Sequence, residues 1–224
     1  MNNEFKIIKT RDKSDTIFVK RYNEIYHSSH GALNESKHVF IQSGLQFIQL
    51  EKIRIFEVGF GTGLNAILSY LESLKKDIKI EYTGIELYPL DPELIDKLNF
   101  TDFIPKNEQA VFQLIHHSEW NKKNKLAPNF TFTKIQADFT SYQFNNCFDL
   151  IYFDAFAPEK QPEMWSLGNF QKIFDALNQE GILVTYSSKG LVKRNLREAG
   201  FKVKRLEGPA GKRHMLRASK EIQF

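Results

Sequence analysis

Cysteine is nearly absent. One residue, Cys147, in a chain of 224 cannot close an internal disulfide, which fits a reducing cytosol. Long apolar runs are missing as well. No stretch approaches the about 20 residues a membrane-spanning helix requires. Met1 to Lys13 is polar and charged with no apolar h-region, so no signal peptide is expected. Histidine is sparse, and His27, His30 and His38 lack metal-ligand spacing. If the segment that holds them is a plain connector they are surface residues, and no metal is expected. These absences predict a cytoplasmic protein without membrane or metal. What is abundant is apolar bulk. The chain is 42% hydrophobic and carries 20 Phe, enough for a core that needs no staples. Its length fits one α/β domain with a small appendage.

Charge is unevenly spread beneath a net +4. Lys189 to Phe224 holds 11 Lys/Arg against 3 Asp/Glu, a net of +8, and the remainder holds 20 against 24, a net of −4. A basic C-terminal fifth points to an anionic partner, nucleic acid first; a solvated lysine-rich surface is the alternative.

The rest of the chain is arranged around Ile53 to Asn65, a buried strand, a glycine turn and a helix start. Leu64, Ile67, Leu68, Leu71 and Leu74 continue it as an apolar stripe at helical spacing. Gly59, Gly61 and Gly63 let the backbone turn sharply and approach a ligand closely. Dinucleotide folds use a wider Gly-x-Gly-x-x-Gly with pyrophosphate on the helix. The tighter spacing here, with Glu57 before it, suits a ligand that is not anionic at that point, such as S-adenosylmethionine (SAM). A turn without ligand is the alternative reading.

Acids recur at strand ends. Glu86 ends the strand Ile80–Glu86, 23 positions beyond Gly63, where nucleoside-binding folds place the ribose carboxylate. Asp138 follows the strand Phe130–Ile135 and suits the adenine amino group. Asp154 follows Phe148–Phe153. Upstream, Phe5–Ile8 and Thr16–Val19 give a hairpin signal. Tyr26 to Ser36 is a polar, aromatic segment, either a cover for a ligand site or a connector. Further strands are expected over Ile182–Tyr186, Phe201–Leu206 and Arg213–Ala218, with a helix over Leu191–Ala199. The prediction is an α/β fold: a doubly wound, mostly parallel, seven-stranded Rossmann-like sheet with an antiparallel last strand. A hairpin and lid extension (1–50) precedes the ligand-binding domain (51–224).

Three further stretches carry a resemblance: Asp154 to Trp165, Val184 to Gly190, and Gly208 to Ala218, with Gly31 to Ser36 in support. Together with Glu57 to Asn65, they resemble class I SAM-dependent methyltransferases, and more narrowly the tRNA 5-methylaminomethyl-2-thiouridine methyltransferases of the MnmC/MnmD type. Ser188 and Ala210 stand where such relatives often have Ala and Pro. The resemblance implies methyl transfer from SAM to the aminomethyl group on C5 of the tRNA wobble uridine. The chain ends at Phe224 without room for the flavin domain of bifunctional relatives, so methylation alone is expected, with a separate enzyme supplying the aminomethyl precursor. Asp154 is the catalytic candidate, as proton acceptor, although it could cap the following turn. Glu57, Gly59, Gly61, Gly63, Asn65, Glu86 and Asp138 are cofactor-binding candidates, with Tyr26 and Glu35 as a lid. Phe156 and Pro158 would bury the acceptor amine, while Trp165 reads as core. Lys189, Arg194, Lys212 and Arg213, with Lys193, Arg197 and Arg217, are candidate tRNA contacts. Rival readings are a protein or small-molecule N-methyltransferase, an aminopropyltransferase and a non-catalytic tRNA-binding module.

Overall fold

The computed structural model describes residues 4–145 and 147–221, so the first three residues of the expected extension lie outside the described residues. A small antiparallel sheet opens the chain: β1 (Phe5–Lys9), β2 (Asp15–Val19) and β3 (Glu24–Ile25), paired in that order. The expected hairpin thus has a third strand, only two residues long and too short to show alternation. Helix α1 (Ala32–Ser36) continues into a π-helical turn over Lys37–Gln42.

The remaining elements are mostly strands and helices in turn, with consecutive strands over residues 123–153 and a closing strand pair. They are β4 (Lys52–Val58), α2 (Leu64–Lys76), β5 (Lys79–Glu86), α3 (Pro92–Ile95), α4 (Gln109–His117), β6 (Lys123–Ala127) and β7 (Phe130–Gln136). Then come β8 (Phe148–Phe153), α5 (Leu167–Ala176), β9 (Leu177–Thr185), α6 (Gly190–Glu198), β10 (Lys202–Glu207) and β11 (His214–Ser219). The central sheet runs β10-β11-β9-β8-β4-β5-β7-β6. Five neighbours, β9, β8, β4, β5 and β7, are parallel, and β11 lies antiparallel to β9 as expected.

The sheet has eight strands where seven were predicted. The addition is β6, antiparallel to β7 at the edge. Its sequence, Lys-Asn-Lys-Leu-Ala, has no alternating apolar face. Exposed lysines are what a solvent-facing edge strand tolerates, since they discourage pairing with another chain. Among the described residues no helix is long and apolar enough to cross a membrane.

Successive residues on a strand face opposite sides, so each parallel strand feeds two cores. On one side Ile53, Ile55, Tyr82, Phe132 and Tyr152 pack with Leu64, Ile67 and Leu68 of α2 and Phe112 of α4. On the other, Phe56, Val58, Ile151 and Phe153 pack with Phe170 and Ile173 of α5 and Leu196 of α6. Leu74, last in the α2 stripe, is exposed. Covering both faces leaves the carboxyl edge of the sheet as the open side, where such folds hold ligands.

Candidate active site

The ends of β7, β5, β4, β8 and β9 open onto one cavity of about 1320 Å³, roofed by residues of the N-terminal sheet and its loop. That volume exceeds the roughly 300–1,000 Å³ of ordinary small-molecule sites, so it has room for two reactants.

The glycine turn forms its floor. Gly59 has φ +87°, and a Cβ there would stand 2.5 Å from the Asp154 carbonyl oxygen. Gly61 has φ +50°, and a Cβ would stand 2.9 Å from the Tyr26 ring. Both positions keep the backbone bare to the cavity. Gly63 departs from the expected ligand contact. It caps the start of α2 and faces the His116 ring behind the turn.

The four strand-end acids separate by environment. Asp138 is exposed on the cavity wall, and its Oδ1 accepts from the Thr140 amide at 2.8 Å. Glu86 accepts from the Gly61 amide (3.1 Å) and the Tyr88 amide (3.0 Å), and burial raises its pKa. Glu57 was expected beside the ligand. It is instead only 1% exposed and stands behind the cavity wall, accepting from Tyr82 Oη (2.8 Å) and Asn65 Nδ2 (2.8 Å). Burial pushes its pKa well above the usual carboxylate range.

Asp154 faces the cavity. Asn65 Nδ2 also donates to its Oδ2 at 2.9 Å, so one amide ties Asp154 to the buried Glu57. Burial and the nearby Glu35 charge push the Asp154 pKa up to about 7, against the hydrogen bond from Asn65 and the charge of Lys212. Such a carboxyl is poised to exchange a proton near neutrality. Asn65 Oδ1 is buried without a hydrogen-bond partner among the described residues. A free acceptor beside bare glycine backbone suits a cationic ligand group, so the donor set fits SAM, with its sulfonium, ammonium and adenosine.

The cover comes from the N-terminal loop. Tyr26 lies edge-on to Phe156, with ring centroids 5.1 Å apart, and Tyr22 packs against Phe156 with its ring tilted, also at 5.1 Å. His27, which a plain connector would leave on the surface, is buried within hydrogen-bond distance of Thr16 Oγ1 (3.1 Å) and Thr62 Oγ1 (3.2 Å), joining the small sheet to the glycine turn. Burial lowers its pKa to about 4, so it is neutral there. Glu35 lines the cavity, fixed by the Ser28 amide at 2.7 Å.

The expected phosphate contacts divide. Arg194 and Arg213 are exposed. Lys189 stands at the rim in an ion pair with Glu159. Lys212 turns inward instead, with Nζ 2.5 Å from Glu35 Oε1 and 3.8 Å from the Tyr186 ring centroid. Arg217 is held by the Ser43 carbonyl (3.2 Å) and the Phe47 ring. Pro158 is buried away from the residues lining the cavity, and Trp165 is core as expected.

Three supports escaped the sequence. Trp165 Nε1 donates to the Phe156 carbonyl (2.8 Å), and Tyr186 Oη donates to the Ala155 carbonyl (2.8 Å); together they fix the segment after Asp154. Lys172 of α5 donates to the Phe139 and Thr140 carbonyls beside Asp138. Both aromatics fall within the resembling stretches, which was the available signal; Lys172 had none.

The chain is similar to proteins already known. Over 213 residues the chain is 28% identical to the tRNA 5-methylaminomethyl-2-thiouridine biosynthesis bifunctional protein MnmC of Nitrosospira multiformis, covering 89% of this chain and 34% of that protein. The Campylobacter fetus protein of the same name is 29% identical over 219 residues, covering 93% and 35%. The chain therefore spans about a third of the length of these relatives. The crystal structure of MnmC2 from Aquifex aeolicus superposes with a TM-score of 0.79 at 26% identity, covering 98% of this chain and 71% of that one. Spermidine synthase from Thermotoga maritima, with a TM-score of 0.60 at 16% identity and covering 99% and 74%, shares the fold. The family model described as S-adenosyl-L-methionine-dependent methyltransferase matches residues 103–221, more than half of the sequence. With its glycine turn and acid-lined cavity, the chain belongs to the S-adenosyl-L-methionine-dependent methyltransferase family.

Proposed function

We propose that the chain methylates the aminomethyl nitrogen on C5 of the wobble uridine in tRNA, giving the 5-methylaminomethyl group. The observation that carries this reading is Asp154: a carboxyl on the wall of a two-reactant cavity, beside Phe156, with its pKa pushed up to about 7. Relatives named for biosynthesis of tRNA 5-methylaminomethyl-2-thiouridine support the choice of acceptor. A separate activity installs the aminomethyl group first.

SAM supplies an electrophilic methyl on a positively charged sulfur. The acceptor is a primary amine, mostly ammonium at neutral pH, and without a lone pair it cannot attack. Asp154 would take the amine's proton, freeing the nitrogen lone pair for the methyl group that bound SAM would supply. Phe156, flanked by Tyr22 and Tyr26, desolvates the amine and lowers its pKa. Glu86 and Asp138 would hold the ribose and adenine of SAM, and Gly59 and Gly61 would admit it against the backbone. Holding both reactants in line supplies much of the rate. Exposed Arg194 and Arg213 contact tRNA phosphates, and the single-stranded anticodon loop lets the base enter the cavity.

The test is transfer of labelled methyl to tRNA from cells lacking this modification, with nucleosides separated by mass. Label in 5-methylaminomethyluridine, with or without 2-thiolation, is the expected result. Label in another nucleoside, or only in protein or small amines, overturns the acceptor assignment.

A further inference from the structure

Lys212 is the residue whose surroundings depart most from its expected role. It belongs to the basic C-terminal fifth, yet its ammonium lies inside the cavity, against Glu35 and over the Tyr186 ring. Both partners are built in place. Glu35 is only 7% exposed and is fixed by the Ser28 amide. Lys212 follows Gly211, which has φ +84° and closes against the His30 ring of the same covering loop.

The pair's position in the sheet bears on what it binds. Asp138 and Glu86, the adenosine side, follow β7 and β5. Across β4 and β8, the opposite end of the cavity is reached at Tyr186, beyond β9, and at Lys212, just before β11. The loop that fixes Glu35 begins with Tyr26 and His27, which cover the glycine turn at Gly61 and Thr62. The Glu35–Lys212 pair therefore lies beside the turn, at the end away from adenine.

We infer that Glu35 and Lys212 together bind the amino-acid end of SAM, Glu35 taking the α-ammonium and Lys212 the α-carboxylate. An ion pair on a cavity wall is complementary to a zwitterion. A lone charge there would be costly to bury. Two opposite charges satisfy each other until the ligand arrives, then exchange one internal pair for two charge-assisted contacts. Asn65 Oδ1, a buried acceptor without a partner among the described residues, offers the ammonium a second contact. Lys212 is thereby a cofactor residue and not a tRNA phosphate contact. The inference rests on the cofactor alone, so it stands or falls separately from the choice of acceptor.

Decarboxylated SAM, which keeps the amine and loses the carboxylate, is the discriminating probe. Its dissociation constant and that of SAM are measured by calorimetry on the full chain, with K212Q and E35Q. The wild type is expected to prefer SAM by about tenfold or more, the scale of one hydrogen bond to a charged group. K212Q should weaken SAM by about tenfold while changing decarboxylated SAM by less than about twofold, erasing the preference. E35Q should weaken both ligands by a similar factor, because both carry the amine. Binding of decarboxylated SAM also reports that each variant is folded. A K212Q variant that keeps the wild-type preference, or weakens both ligands equally, overturns the inference.

Discussion

Two acids at neighbouring strand ends, Glu57 and Asp154, look alike in the sequence and differ completely in place. Tyr82 and Asn65, supplied by β5 and α2, enclose Glu57, while Asp154 keeps a face on the cavity. Burial by distant partners decides their roles, and no local pattern encodes it. The same holds for Lys212, whose partner Glu35 is 177 positions away. His27 is a third case, since a lone histidine in a polar stretch carries no sign of the two threonines that enclose it. Its burial has a measurable consequence. The native pKa is lowered to about 4 from the ordinary 6.5, so between those values the unfolded chain binds the extra proton. Its contribution is therefore fully present above about pH 6.5 and is lost as pH falls toward about 4. His116, lowered to about 3 by burial, adds a term of the same sign. The buried carboxyls act with the opposite sign, since Asp154, with its pKa pushed up to about 7, takes up a proton in the native state over the same range. The readout is therefore the difference between variants, and the destabilisation caused by His27→Gln, taken from denaturant midpoints, should shrink as pH falls from about 7 to about 5. A destabilisation that stays constant over that range would remove His27 from the account.

At the scale of elements, the parallel strands and the glycine turn were readable because they combine apolar runs with obligatory backbone geometry. β3 and β6 were not, since one is two residues long and the other consists largely of edge lysines. The turn's role is testable through Gly59. With φ +87° and the Asp154 carbonyl 2.5 Å from an added Cβ, Gly59→Ala must shift the end of β8. The left-handed backbone alone costs about 1–2 kcal/mol. Displacement of the Asp154 segment should further weaken SAM binding by about tenfold or more, the scale of one lost charged contact. Calorimetry together with a melting curve separates the two effects; a lower melting temperature with unchanged SAM affinity would place the turn outside the ligand site.

Over the whole molecule, charge is segregated as the sequence indicates, but fewer basic residues are available to a partner than the count suggests. Lys212 and Arg217 are engaged within the protein, and Lys189 is paired at the rim. Arg194 and Arg197 on α6, with Lys204 and Arg205 on the edge strand β10, remain exposed. The combined change Arg194→Glu and Arg197→Glu should weaken tRNA binding and lower the salt slope by about 0.7–0.9 per lost phosphate contact, while leaving SAM binding unchanged. Unaltered tRNA affinity and slope would move the tRNA to another face.

The most direct test of the account is the pH dependence of single-turnover methyl transfer to aminomethyl-bearing tRNA, for the wild type and for Asp154→Asn. Asp154 must be ionised to take the proton, so the wild-type rate should rise with pH through about 7. Asp154→Asn should lose that limb and about 10²-fold or more of the rate, retaining only the rise set by the amine itself. A variant with the wild-type profile and rate would contradict the assignment of Asp154 as the proton acceptor.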